Sequence, residues 1–269
     1  MKFPYVEQVK LLQLGAGGTG GFAAPNIYRM LYALKQAKPE LRLRYILADG
    51  DEAEERNLIR QNFARWELGE NKAESLAARF SGKLGMEIEY IPEFIEDRRH
   101  LAQLLEPQYI RSIGNGPERR REVYERVILI GATDNNRSRK LCTEVFREME
   151  DLIYIDAGNG TRCGQVVCGV RKEGRTLWKP VGSLYPEVMQ ARDKFPSELS
   201  CADEALLDTQ SIAANLFAAT AITAFVYNIL IGGELRVRYL DFSTEELSMT
   251  GITRRRPARK PNRLPPQAV

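Results

Sequence analysis

The stretch Val9–Gly21, VKLLQLGAGGTGG, decides the fold. A short apolar strand, Val9 to Leu14, runs straight into a glycine-rich turn, and a helix follows through Met30 to Lys35. Then comes LRLRYILAD, an apolar run that ends on the acid Asp49. Strand, turn, helix and strand in this order form the opening unit of a parallel nucleotide-binding sheet. Gly15, Gly17, Gly18 and Gly20 let the backbone approach phosphates closely, and the helix behind them offers unpaired N–H groups and the positive end of its dipole to an anion. The turn alone leaves the ligand open. Tight strand–helix packing, a nicotinamide or flavin cofactor and ATP all use such glycines, and Asp49 suits the ribose hydroxyls of any adenosine nucleotide.

Outward from this unit, a helix from Asn71 to Leu84 leads to the strand MEIEYI, and a helix from Arg98 to Leu105 precedes the strand VILIGATD. The polar, irregular stretch from Glu106 to Arg126 reads as an insertion or partner-facing loop, because the sheet pattern resumes directly after it. A helix from Asn135 to Met149 leads to a fifth strand, LIYIDAGNG, and RCGQVVCGVRKEG and TLWK follow as strands joined by a turn. A long loop from Pro180 to Asp203 crosses to an apolar helix, Leu206 to Ile231, and LRVRYLDF and ELSMTGI close the body as a hairpin. The expected architecture is one α/β, Rossmann-like domain over residues 1–252, with a mixed, mainly parallel sheet, a crossover loop and a C-terminal hairpin. Residues 253–269 are expected to form a basic, proline-rich, flexible tail.

Composition narrows the chemistry. With 269 residues and a mean hydropathy of −0.36, the chain is long enough for one large core. The apolar run near Ile212–Ile231 is interrupted by Asn215, Thr220, Thr223 and Asn228, so it reads as a buried helix and not a membrane span. MKFPYVEQVK lacks the apolar run of a secretory signal, and the expected compartment is the cytoplasm. A single histidine, His100, excludes zinc triads and multi-histidine iron centres, and its setting, FIEDRRHLAQLL, is that of an amphipathic surface helix. Cys142, Cys163, Cys168 and Cys201 fit neither a zinc knuckle nor a disulfide framework and read as reduced thiols. Cys142, Cys163 and Cys168 lie in helix or strand patterns and are expected in the core. The net charge of +3 is concentrated in the tail, which carries Arg254, Arg255, Arg256, Arg259, Lys260 and Arg263 without an acid. The body without it is slightly acidic, which argues against a nucleic-acid-binding core.

A further set of residues resembles a known superfamily. Asp49-Gly50-Asp51, then Asn57-Leu58-Ile59-Arg60-Gln61, then Lys72 at the head of a helix, and later Ala132-Thr133-Asp134-Asn135 follow the glycine loop in the order seen in the ThiF, MoeB and ubiquitin-activating enzyme superfamily. DAGNG at Asp156–Gly160, GQVV at Gly164–Val167 and the SCADE stretch are most similar to small bacterial PRTRC-system ThiF-like proteins. The resemblance implies an ATP-dependent adenylyltransferase that activates the C-terminal carboxylate of a small ubiquitin-like (β-grasp) protein. It also implies roles: Asp49 at the ribose, Asn57 and Arg60 on phosphates, Lys72 supporting developing charge, and Asp134 binding Mg²⁺. Asp51, Gln61 and Asn135 complete the implied nucleotide-binding set.

Cys201 occupies the crossover position where relatives receive the activated carboxyl as a thioester, or carry a persulfide or acyl link. A downstream conjugating or sulfur-transfer protein and a homodimer are further implied partners. Two departures stand out: the CxxC zinc motif is missing, and so is the N-terminal RYxRQ segment that sends an arginine into the neighbouring subunit's ATP site. Two other functions remain open on the residues: an NAD-dependent oxidoreductase resting on the glycine turn and Asp49, and a non-enzymatic ThiF-like adaptor.

Overall fold

The computed structural model describes residues 1–108, 110–113, 120–198 and 211–252. At its centre lies β1 (Gln8–Leu14), with every residue buried. It pairs in parallel with β2 (Arg42–Ala48) on one side and with β6 (Glu125–Gly131) on the other. β3 (Glu89–Ile91) extends the parallel set beyond β2, and β7 (Leu152–Asn159) extends it beyond β6. From β7 the sheet turns antiparallel: β8 (Cys163–Lys172) pairs with β7, β10 (Tyr239–Ser243) with β8, and β11 (Ser248–Ile252) with β10, while β9 (Arg175–Trp178) adds to the far end of β8. The expected mixed, mainly parallel α/β sheet is therefore present. Its order is β11-β10-β8-β7-β6-β1-β2-β3.

Both faces are covered, which explains why the central strands read as almost continuous apolar runs. α1 (Gly18–Ala37), α2 (Lys72–Leu84) and α7 (Ile212–Leu230) pack on one face against Leu11, Ile128 and Ile155. α3 (Arg98–Leu105), α4 (Asn136–Glu148) and the single turns α5 (Val181–Leu184) and α6 (Pro186–Met189) pack on the other face, against Leu12, Leu129 and Tyr154. α7 is long and apolar enough to cross a membrane, yet half of it is buried inside the fold. His100 is half-buried on α3.

Several boundaries differ from expectation, each for a local reason. The MEIEYI strand shrinks to Glu89–Ile91, because the Met86 and Ile88 N–H groups donate to Tyr28 Oη and Ser81 Oγ instead of to a strand. LRVRYLDF enters the sheet only at Tyr239; Leu235 N donates to the Met1 carbonyl, so its first residues hold the N-terminus. The segment Glu106–Arg126 does not lack structure. It carries an antiparallel pair, β4 (Ile110–Ile113) with β5 (Arg120–Val123), separate from the main sheet.

β6 also starts earlier than its apolar run, since Glu125 is buried 3.3 Å from Lys10 Nζ and Arg126 donates to the Pro4 carbonyl at 2.6 Å. The long loop after Pro180 contains α5, α6 and a 3-10 turn at Pro196–Glu198. α7 begins at Ile212, where the Ser211 hydroxyl accepts from Ala214 N at 3.2 Å and fixes the start. Cys142 and Cys168 are buried as expected, but Cys163 is exposed, because it is the first residue of β8, at the end of the strand. Cys201, Leu206 and the tail 253–269 lie outside the described residues.

Candidate active site

The carboxyl ends of β1, β2, β6 and β7 converge on a cleft enclosing about 1230 Å³, part of it open to solvent. This is the position where open α/β sheets bind ligands, at the reversal of strand order. Gly15, Gly17, Gly18, Asp49, Asp51, Asn57, Arg60, Gln61, Lys72, Asp134 and Asn135 all line it. Gly20 does not. It sits beneath, where a methyl group would collide with the Gly15 carbonyl, so its role is strand–helix packing.

Two glycines carry distinct duties at the turn. Gly15 has φ +96°, and a β-carbon there would press on the Ala132 carbonyl at 2.5 Å. Gly17 is the N-cap of α1; its surroundings are roomy, no side chain caps the helix, and no acid stands in the first turn. A helix start of this kind, uncapped and without an acid, suits an anion.

Asp49 has work to do before any ligand arrives. It is buried, and its two oxygens accept from Ala16 N at 2.6 Å and Asp51 N at 2.9 Å, which shapes the glycine turn from below. Burial, then the Asp51 charge, push its carboxyl up to about 6, against the pull of Lys72 and the two N–H groups. Each oxygen keeps a second lone pair free to accept from a hydroxyl in the cleft. Asn71 joins this segment to α2: its Oδ1 accepts from Ala73 N and Glu74 N at 3.0 Å, and its Nδ2 donates to the Asp49 and Asp51 carbonyls at 2.8 and 3.2 Å. Lys72, first in α2, is consequently held in the cleft wall with its Nζ 2.9 Å from Asp51 Oδ2. Its side chain is only 6% exposed, so the cation is kept in place by one carboxylate.

The Asn57–Asn62 segment is drawn to the same spot by α1. Pro25 cannot donate to the Gly21 carbonyl, and the Asn62 amide fills that vacancy at 2.9 Å. Asn57 is buried and its Oδ1 accepts from Glu54 N at 3.0 Å, while its carbonyl accepts from Gln61 N at 2.8 Å. This turn presents the half-buried Arg60 to the cleft. Across from it, Asn135 caps α4, accepting from Ser138 N at 2.7 Å. Asp134 just before it is exposed, with no hydrogen-bond or ion-pair partner among the described residues. Gln61 Oε1 and Asn135 Nδ2 are buried without a hydrogen-bond partner among the described residues. Orphaned acceptors and donors in a cleft wall are groups that a polar ligand would satisfy.

The structure adds residues that pattern reading had not assigned to the site. Thr19, Asn159 and Asn215 form a polar knot under the glycine turn, linking α1, β7 and α7. Beneath Asp134, Arg139 donates to the Thr133 and Ala157 carbonyls and lies 3.3 Å from Asp156, which also accepts from Tyr154 Oη at 2.7 Å. Burial raises the Asp156 carboxyl, and Arg139 and Tyr154 oppose it. An amide in the otherwise apolar IAANLFAA of α7 was the one visible signal for Asn215. A second groove of about 830 Å³ shares Asp134 and Asn159 with the cleft and continues past Gly158, Cys163, Gln165 and Asp241.

No protein-family model and no curated protein matches the chain. Solved structures do. E. coli MccB with succinimide aligns over 92% of this chain and 64% of its own, at 17% identity and a TM-score of 0.56. PaaA aligns over 91% and 64%, at 16% and 0.57. The chain has the fold of MccB and PaaA. The microcin C7 biosynthetic enzyme MccB in complex with N-formylated MccA gives 92% and 65%, at 16% and 0.58. This chain spans less than two thirds of the length of each of these proteins. MccB has also been solved with ATP.

Proposed function

We propose that the protein is a Mg-ATP-dependent adenylyltransferase of the ThiF/MoeB/ubiquitin-activating superfamily, and that its substrate is the C-terminal carboxylate of a small ubiquitin-like (β-grasp) protein. One observation carries the reading: the glycine turn, Asp49, Arg60, Lys72 and Asp134, spread along the chain, all line one cleft. An oxidoreductase needs the first two alone. Adenylation needs them all, because a substrate carboxylate oxygen bonds to the α-phosphorus while the bond to the bridging oxygen breaks and pyrophosphate leaves, and the polyanion must be neutralised and aligned throughout. MccB, solved with ATP, shares the fold, which supports a nucleotide in this cleft.

In this reading Asp49 holds the ribose, and the α1 N-terminus, Asn57 and Arg60 meet the phosphates. Lys72 supports the developing charge as a point cation and Arg60 as a fork. Asp134 suits Mg²⁺: it is a carboxylate at the cleft mouth with no cation partner among the described residues, and Mg²⁺ takes few protein ligands beside phosphate oxygens and water. When bound, the ion would neutralise phosphate charge. The groove beyond Asp134 supplies a path for an extended substrate terminus. Transfer of the acyl group to Cys201, in which the thiol sulfur bonds to the acyl carbon, loses its proton, and AMP leaves, belongs to the same proposal, as do a homodimer and a cytoplasmic setting.

The test is ATP–pyrophosphate exchange by the full chain with magnesium and a candidate ubiquitin-like protein. Exchange is expected, and Asp134→Ala and Arg60→Ala should each abolish it. Exchange undisturbed in both variants would sink the assignment. For Cys201, the expected result is a thiol-cleavable adduct that disappears in Cys201→Ala while exchange persists.

A further inference from the structure

One buried amide ties α7 to the arginine segment. Asn215, in the first turn of α7, is 0% exposed. Its Oδ1 accepts from Asn159 Nδ2 at 2.8 Å, and its Nδ2 donates to the main-chain carbonyl of Arg60 at 3.2 Å. The Thr19 hydroxyl lies 3.1 Å from Asn159 Oδ1 and 3.5 Å from Asn215 Oδ1; it has one proton, and the shorter contact to Asn159 takes it. Thr19 thus orients Asn159, which orients Asn215, which grips Arg60. The glycine turn makes room for this chain: a β-carbon on Gly18 would overlap the Asn215 amide.

Packing alone would put an apolar residue at this position, as it does at Ala214, Ala218 and Ala219 around it. A fully buried amide is disfavoured unless its hydrogen bonds are made, and here they converge on the segment that carries the cleft's arginine. We propose that Asn215 is a positioning residue that acts through Arg60, holding its backbone so that the guanidinium meets the nucleotide's phosphates. This rests on the ATP reading above. Asn215 itself does not line the cleft.

A residue that only supports the fold would affect every ligand of the cleft alike. A residue acting through Arg60 affects only ligands with phosphates. The experiment is therefore calorimetric titration of the full chain with Mg-ATP and, separately, with adenosine, on wild type, Asn215→Ala, Arg60→Ala and the double variant. Asn215→Ala should weaken Mg-ATP about tenfold, the scale of one lost buried hydrogen bond, with adenosine unchanged. In the Arg60→Ala background it should weaken Mg-ATP no further.

Equal weakening of ATP and adenosine, or a full tenfold loss persisting without the arginine, would overturn the proposal. So would Asn215→Ala binding Mg-ATP as wild type does. If Asn215→Ala fails to fold, Asn215→Leu replaces it, since it keeps the volume and removes the donor to the Arg60 carbonyl, and it should give the same selective loss; unchanged or unselective binding there overturns the proposal equally. Wild type that binds no Mg-ATP defeats the underlying reading instead, and it does so before any variant is compared.

Discussion

The two ends of the site are built on opposite plans. Around the glycine turn the charged and amide side chains of the acid segment are already engaged, Asp49 by two N–H groups, Lys72 by Asp51 and Asn71 by four main-chain partners, while the start of α1 carries no side-chain cap. At the far end, past Asp134, carboxylates and a thiol face an open groove: Asp134 has no cation partner among the described residues, and Cys163 is exposed. A preorganised end fits a ligand of fixed shape, where donors and charges set in advance need no reorganisation. An open end fits a partner that brings its own groups. The nucleotide and the substrate of the proposed reaction divide along the same line.

Asp134 stands at the boundary between the two ends. Asp134→Ala should abolish pyrophosphate exchange, a loss of roughly a thousandfold or more on the scale of a main electrostatic group, yet leave the unfolding midpoint unchanged, because the side chain is exposed and supports nothing. A variant that unfolds early would mean that the boundary is structural.

Two glycines sharpen the contrast in stability. Gly15→Ala forces a β-carbon onto the Ala132 carbonyl at φ +96° and should cost roughly 2–4 kcal/mol in urea unfolding. Gly160→Ala, in the groove with nothing within 4 Å of the added carbon, should stay within about 0.5 kcal/mol of wild type. Similar losses at both sites would erase the distinction.

Asp49 supplies a pH signature for the preorganised end. Its carboxyl holds a proton to about 6 in the fold, against an ordinary 3.8. Between those values the unfolded chain releases its proton first, so ionisation favours unfolding and the residue's contribution falls as pH rises through that window. Relative to Asp49→Asn, wild type should lose on the order of 2–3 kcal/mol between pH 4 and pH 6 in denaturant midpoints. A difference that does not vary with pH would show that burial leaves the carboxyl untouched.

The smallest expected effect concerns thiols. In a Cys201→Ala background, Cys163 should react promptly with a thiol reagent, while Cys142, which burial pushes up to about 12, and the fully buried Cys168 should react only on unfolding. Mass spectrometry of partly labelled protein distinguishes them.

How much of this was legible before the structure follows from the range of the forces involved. The parallel half was readable because strand, glycine turn and helix signal locally, and each candidate ligand of that half lines the cleft apart from Gly20. Strand ends were not readable where the hydrogen bonds go elsewhere, as at Met86 and Ile88. β6 looked polar at its start because the partners that permit burial of Glu125 and Arg126, Lys10 and Pro4, lie more than a hundred residues away. Cys163 looked like core because period-two patterning gives the face of a strand residue but not whether the strand end is covered. Asn215 carried a faint signal, an amide among alanines, whose meaning depends on Arg60, far away in the chain.

The most direct test of the central claim is titration of wild type and Asp134→Ala with Mg-ATP and, separately, with NAD(H), followed by thermal unfolding. At about 100 times the dissociation constant a bound ligand stabilises by roughly 2.7 kcal/mol, which such a measurement resolves. Mg-ATP should stabilise wild type, and Asp134→Ala less, while NAD(H) should stabilise neither. Stabilisation by NAD(H) alone, or by neither ligand, would contradict that claim.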